Sequence, residues 1–314
     1  MTAPAPVWVL ADPRAGTAAQ ALGIAERLGV PHRVLPLAWG GLARLPIAWP
    51  SLAGLTPAAR EAIAPPWPGL VLSAGRRSAP VALWLRARGA RVVHCMRPGP
   101  LAASRFDLLV LGRHDRPSEA PNILPILGAA HRVSAARLAE ARAAFSGLAV
   151  LPGPRVALML GGPVRGEGLA PGFTAGLGAR VAQFAGSVMA STSRRTGAAA
   201  TAALDAALGD VPHRLFRWGE GGANPYLGFL AWADIVVVTG DSVSMLSEAL
   251  VAPAPLFVAA TGGEGPRHRA LHESLFEAGQ VRPLAAAPAP FARTPLDEAA
   301  RVAAEIRARG LLPG

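Results

Sequence analysis

The stretch ADIVVVTGDSVSMLSEAL, residues 233–250, decides how the rest of the chain is read. Its β-branched run from Ile235 to Val238 suits a strand buried on both faces. Thr239-Gly240-Asp241-Ser242 follows as a small polar turn, and apolar residues then recur at helical spacing around one glutamate, Glu248. A strand that feeds a short turn into a helix is the repeating unit of a parallel sheet with helical crossovers. Such a turn also suits a phosphate, because the free N–H groups of the helix start lie just beyond the strand end. The competing reading is an ordinary corner in which Asp241 or Ser242 caps the helix and Glu248 is solvated.

Working outward, the same unit recurs. VWVLA (7–11), HRVLPL (32–37), GLVLSA (69–74), ARVVHCM (90–96), DLLVLG (107–112) and NILPIL (122–127) read as strands. Helices are predicted over 17–28, 78–88 and 134–146, the last with Ser134 as its N-cap. GLAVLPGPR (147–155), rich in proline and glycine, reads as a linker. A second series follows, with strands at 155–162, 187–192, 213–218, 235–238 and 255–260. Its helices lie near 172–184, 197–208, 225–232, 242–251 and 266–278, before a closing amphipathic helix at 295–312. The alternation predicts an α/β protein of two doubly wound parallel-sheet domains, 1–150 and 151–314, with a cleft between their strand ends. Helix 295–312 is a candidate for packing back on the first domain.

Composition agrees with that plan. A chain of 314 residues suits two domains of about 150 each, and 51% hydrophobic residues allow each a core. No segment reaches the ~18 uninterrupted apolar residues of a membrane span; Pro46, Pro50 and Pro57 interrupt the apolar run 45–59. MTAPAPVWVLADPRAG at the start has no basic leader and meets Asp12 directly, so no signal peptide and a cytoplasmic location are expected. One cysteine, Cys95, excludes a disulfide framework and a multi-cysteine zinc site. There is no Asp-x-Asp and no His/Cys ligand cluster, so neither a metal nor another cofactor is implied. All 31 basic residues behind the +11 charge are arginine, spread along the chain, and there is one tyrosine. That argues against nucleic acid as a partner and favours phosphorylated small molecules or an anionic membrane face. LAWGGLARLPIAWPSLAGL (37–55), with Trp39, Arg44 and Trp49, fits either a membrane-facing lip or core packing.

Ligands of doubly wound domains sit at the carboxyl ends of strands, and the unusual residues fall there. In the second half these are Gly161-Gly162, Ser193-Arg194-Arg195-Thr196 and the turn from Thr239 to Ser242, with Ser244 one residue into the helix. Paired glycines let a backbone approach a ligand, although tight turns use them as well. Arg194 or Arg195 could bind a phosphate with two parallel hydrogen bonds, or lie in a solvated loop. Asp241 cuts the other way, since a carboxylate repels a diphosphate unless it bonds a sugar or the backbone. In the first half, Gly75-Arg76-Arg77 before a helix forms another anion-binding pattern, for an acceptor or for salt bridges between domains. Asp12 and His114-Asp115 are the candidate bases; each could instead hold its own loop.

Four motifs in order, SAGRRSAPVALWLR (73–86), GRHD (112–115), STSRRT (191–196) and NPYLGFLAWADIVVVTGDSVSMLSEA (224–249), resemble the family named for a plant mitochondrial-fission factor. The resemblance runs from about residue 7 to 260, and the bacterial members are treated as glycosyltransferases related to lipooligosaccharide outer-core enzymes. It implies the GT-B fold, two Rossmann-like domains with a nucleotide-diphosphate sugar bound mainly by the second. It also implies Glu248 on the ribose hydroxyls, Glu220 or Asn224 of WGEGGANPY (218–226) near the base, and Asp12 as first-ranked base. MRPGP (96–100) departs from the more polar D-P-R expected there. The function implied is transfer of a sugar to a glycan or lipid-linked acceptor in cell-envelope polysaccharide synthesis, at the inner face of the cytoplasmic membrane. The alternatives are a nucleotide-sugar epimerase and a non-catalytic membrane-organising factor.

Overall fold

The alternation of strands and helices builds two six-stranded sheets in which every pairing is parallel. The structure is a computed structural model that describes residues 7–163, 166–286 and 288–313. Residues 1–6, on which the leader reading partly rests, lie outside those described. The chain divides into two compact units, Met1–Arg132 with Asp297–Gly314, and Val133–Leu296.

The first unit runs β1 (Val7–Ala11), α1 (Ala15–Leu28), β2 (His32–Pro36), α2 (Pro57–Glu61), β3 (Leu70–Ala74), α3 (Ala79–Arg86), β4 (Arg91–Cys95), β5 (Leu108–Gly112) and β6 (Ile123–Ile126). Its sheet order is β2-β1-β3-β4-β5-β6. Every residue of β3 and β5 is buried, which is why these strands read as nearly continuous apolar runs, with Ser73 the one polar residue in them. One sheet face packs on Ala21, Ile24, Ala25 and Leu28 of α1, together with Ala299, Val302, Ala303 and Ile306 near the end of the chain. The latter belong to the chain's last helix, which packs beside α1. Trp8, Val71 and Val92 occupy the other face with Val81, Leu83 and Leu85 of α3.

The second unit begins with α4 (Ala135–Ala144), capped as predicted by Ser134, whose Oγ accepts from Arg137 N at 3.0 Å. The division thus falls before α4, which packs on a helix of the second unit, rather than at the proline-rich stretch after it. Next come β7 (Arg155–Leu160), α5 (Pro171–Ala182), β8 (Ser187–Thr192), α6 (Ala198–Leu208), β9 (His213–Phe216), α7 (Tyr226–Trp232), β10 (Ile235–Thr239), α8 (Val243–Ala249), β11 (Leu256–Ala259), α9 (Pro266–Glu277) and β12 (Arg282–Pro283). The sheet order is β12-β11-β10-β7-β8-β9, the doubly wound order of a dinucleotide-binding fold. The last helix, α10 (Glu298–Ala308), returns to the first unit. Asp297 caps it by accepting from Ala300 N at 3.0 Å, and its buried Glu298 accepts from Leu127 N at 2.8 Å.

Candidate functional site

In the second sheet the chain order reverses between β7 and β10, so the connections leaving these strands diverge and open a crevice. The residues singled out in this half converge there. Gly161 N donates to Thr239 Oγ1 at 2.8 Å, and Thr239 Oγ1 donates in turn to Asp241 Oδ1 at 2.6 Å. The Gly161 carbonyl accepts from Ser193 Oγ at 2.7 Å and from Thr196 Oγ1 at 2.6 Å. Thr196 Oγ1 also accepts from Ser193 N at 2.8 Å, closing the loop on itself. Ser193 and Thr196 therefore spend their hydroxyls on the backbone, whereas Arg194 is exposed and makes no hydrogen bond or ion pair among the described residues.

Both glycines are dictated by this packing. A Cβ on Gly161 would sit 2.7 Å from Asp241 Oδ1, and one on Gly162 would run into the Arg195 carbonyl. Ser242 acts as the capping residue of the bland reading, its Oγ accepting from Met245 N at 3.3 Å. Ser244 is exposed on α8.

Two contributors escaped the sequence. His272 of α9 donates from Nε2 to the Gly240 carbonyl at 2.8 Å, and a Cβ on Gly240 would meet Glu264 Oε1 at 2.6 Å. Burial pushes the His272 imidazole below its usual pKa. For Glu264, burial works upward, but hydrogen bonds led by that from Thr261 N outweigh it and hold the carboxyl below the glutamate range. Both residues lie more than twenty positions from Gly240, and only the fold brings them to it.

Glu248 is half-buried beside Tyr226 of α7. Burial raises its carboxyl above the usual range, against the opposing effect of the Tyr226 hydroxyl. Tyr226 itself is driven well upward, by burial first and by the Glu248 charge second, and its hydroxyl forms no hydrogen bond of normal geometry. In the loop after β9, Glu220 Oε2 accepts from Arg217 N at 3.0 Å and Asn224 Oδ1 from Tyr226 N at 3.0 Å, so each closes its own turn. Beside this loop lies a cavity of about 630 Å³ lined by Ser193, Arg194, Thr201, Asp205, Arg217 and Trp218, among others. Asp205 anchors one wall, accepting from Arg217 Nη2 at 2.6 Å and lying 2.9 Å from His213 Nε2. Trp218 is 58% exposed and presents an aromatic surface.

In the first unit the equivalent reversal lies between β1 and β3. Asp12, buried after β1, accepts from Arg14 N at 2.8 Å and from Trp39 Nε1 at 3.0 Å. Both carboxylate oxygens thus hold loops, which is the structural alternative for this residue. Gly75 turns with φ +85°, Arg76 reaches the Leu45 carbonyl at 3.5 Å, and the Arg77 guanidinium lies 5.7 Å from the Trp39 ring centre. His114 is buried in the turn after β5, its Nε2 3.9 Å from Asp115 Oδ2. Of the two tryptophans in 37–55, Trp39 is half-buried and pinned, whereas Trp49 is exposed with Leu42 and Leu45. Among the described residues no group of three His, Cys, Asp or Glu is placed to hold a metal ion, and no helix is long and apolar enough to cross a membrane.

Comparison with known proteins fits this geometry. Among curated relatives, the mitochondrial fission protein ELM1 of Arabidopsis thaliana is 30% identical over 259 residues, 73% of this chain and 60% of that protein. The chain therefore spans about 60% of that relative's length. Among solved structures, the calicheamicin glycosyltransferase CalG4 matches with a TM-score of 0.53 at 12% identity, covering 99% of this chain and 93% of its own. The UDP-GlcNAc 2-epimerase of Methanocaldococcus jannaschii gives 0.50 at 12% identity, over 96% and 92%. At such identities the likeness fixes the fold alone, and that fold is GT-B. The model of the family described as mitochondrial fission ELM1 matches residues 15–310, and the chain belongs to that family.

Proposed function

We propose that this chain is a glycosyltransferase that moves a sugar from a nucleotide-diphosphate donor to a glycan or lipid-linked acceptor of the cell envelope. The reading rests on one observation: Gly161-Gly162, the 193–196 loop and the 239–242 turn meet at the strand-order reversal of the second unit, beside the cavity that Arg194 lines. There the diphosphate would lie along the glycine backbone. Arg194 and Arg195 would offset its charge and that developing on the leaving group. Glu248 would accept from the ribose hydroxyls, and the base would enter the cavity toward Trp218. The first unit would bring the acceptor. Its exposed Leu42, Leu45 and Trp49, with Arg44 among them, favour peripheral contact with the inner face of an anionic membrane.

The test is binding. Calorimetry and thermal shift with UDP-glucose, UDP-GlcNAc, GDP-mannose, ADP-glucose and a CMP-sugar should find one class that stabilises the protein, by about 2.7 kcal/mol at a hundred times its Kd. Glu248→Gln should weaken that ligand roughly tenfold or more, the worth of a hydrogen bond to a charged group. No stabilisation by any of these ligands would sink the reading. Conversion of the bound sugar to its epimer without an acceptor would replace transfer with epimerisation.

A further inference from the structure

Asp241 stands where a diphosphate is least expected to tolerate a carboxylate, and its hydrogen bonds show what it is free to do. Thr239 Oγ1 accepts from Gly161 N at 2.8 Å, so its single proton is left for Asp241 Oδ1 at 2.6 Å. That settles one oxygen of Asp241. The other, Oδ2, is buried and has no hydrogen-bond partner among the described residues. Both oxygens lie against Gly161, where an added Cβ would be 2.7 and 2.9 Å from them. The neighbouring polar groups are already committed. His272 Nε2 gives its proton to the Gly240 carbonyl, and Glu264 takes those of Thr261 N and Oγ1. A buried acceptor without a donor is costly, and a carboxylate oxygen more so. Asp241 Oδ2 is therefore an acceptor held in place by Thr239, at the strand-order reversal, awaiting a donor from a ligand.

A diphosphate at neutral pH has no proton to offer there; a sugar hydroxyl has. We infer that Asp241 is a specificity-determining residue that favours the sugar nucleotide over the nucleoside diphosphate, by accepting from a sugar hydroxyl and repelling a terminal phosphate. This rests on the donor reading above and goes beyond it. The same carboxylate welcomes the substrate and works against retention of the product, whose freed terminal phosphate carries one more negative charge.

The experiment is calorimetric titration at pH 8 with matched pairs: UDP and UDP-glucose, GDP and GDP-mannose, ADP and ADP-glucose. The wild-type protein should hold the sugar nucleotide of the binding pair at least as tightly as the diphosphate. In the Asp241→Asn variant, which keeps an acceptor for Thr239, the affinity ratio should move toward the diphosphate by at least about fivefold. That is the factor one unit charge exerts on another across about 4 Å at the dielectric of water. Asp241→Ser should move it the same way, and Glu277→Gln, at the exposed end of α9, should not. A ratio unchanged in the Asp241 variants, or a wild-type protein that prefers the diphosphate tenfold, overturns the inference while leaving the donor reading intact. A wild-type protein that binds neither member of any pair removes the donor reading and this inference with it.

Discussion

Gly162→Ala is the most direct perturbation of the turn on which the site is built. The added Cβ would enter the Arg195 carbonyl, far inside the 3.0 Å limit that real Cβ contacts respect, and the obstacle is backbone rather than a side chain that could swing away. Relieving the overlap requires the Arg195 peptide to retreat by about 1 Å, in an interior packed too tightly to absorb it freely. Overpacking of this kind costs about 1–3 kcal/mol. At about 3 °C per kcal/mol for a unit of this size, the melting temperature should fall by about 3–9 °C. The retreat also carries Arg194, so affinity for the stabilising nucleotide sugar should drop at least about tenfold. Gly176→Ala in α5 is the control, because a Cβ there meets nothing within 4 Å. Alanine at a free helix position should be neutral or stabilising by up to ~1 kcal/mol, with binding unchanged. Calorimetric melting and titration of the two variants side by side give the answer. A Gly162→Ala protein that melts and binds like Gly176→Ala would refute the packing described for the switch point.

Two further expectations concern the first unit. His94 is buried between Ser73, 2.7 Å away, and the Phe106 ring, and burial holds its imidazole at about 3 against a free value of 6.5. The unfolded chain takes up that proton first, so the stability is fully present above pH 6.5 and is lost as the pH falls toward 3. At about 1.4 kcal/mol per unit, lowering the pH from 7 to 5 should remove about 2 kcal/mol, and His94→Gln should flatten that slope in denaturant titrations; a slope unchanged in the variant would contradict it. At the exposed loop, Trp49→Glu should reduce sedimentation with phosphatidylglycerol vesicles at least about tenfold and leave neutral phosphatidylcholine vesicles unaffected. Equal sedimentation of wild type and variant would remove the membrane-facing role.

The fold was largely legible because parallel strands covered on both faces must be continuous apolar runs. VVV at 236–238 and LLVL at 108–111 admit no half-exposed alternative once polar turns bound them. Elements set by partners were not legible. β12 has two exposed residues, Arg282 and Pro283, and exists because Phe257 and Val258 offer an edge to pair with. The amphipathic pattern of α10 foretells a helix with one buried face. It offers the first domain only as a candidate, and the contacts that seat Val302 and Ile306 there, with α1 and through the Arg27–Asp297 ion pair at 3.0 Å, are set by the fold.

The site was legible in its residue types and obscure in how they are used. Ser193, Thr196, Thr239 and Ser242 all have the composition of ligand contacts, yet each spends its hydroxyl on the protein. The distinction lies in whether a backbone group competes for the same oxygen, and one-dimensional spacing cannot show that when Gly161 and Thr239 stand 78 positions apart. His272 and Glu264 were missed for the same reason, since neither sits in a strand-end motif and both reach Gly240 only through the placement of α9 and its preceding loop. Among the groups discussed at the switch point, Arg194 and one oxygen of Asp241 are two that no hydrogen bond occupies among the described residues. Discrimination therefore concentrates on a cation and a carboxylate of opposite demands. A ligand that satisfies both must present negative charge to one and a hydroxyl to the other, which is the chemistry of a sugar joined to a diphosphate.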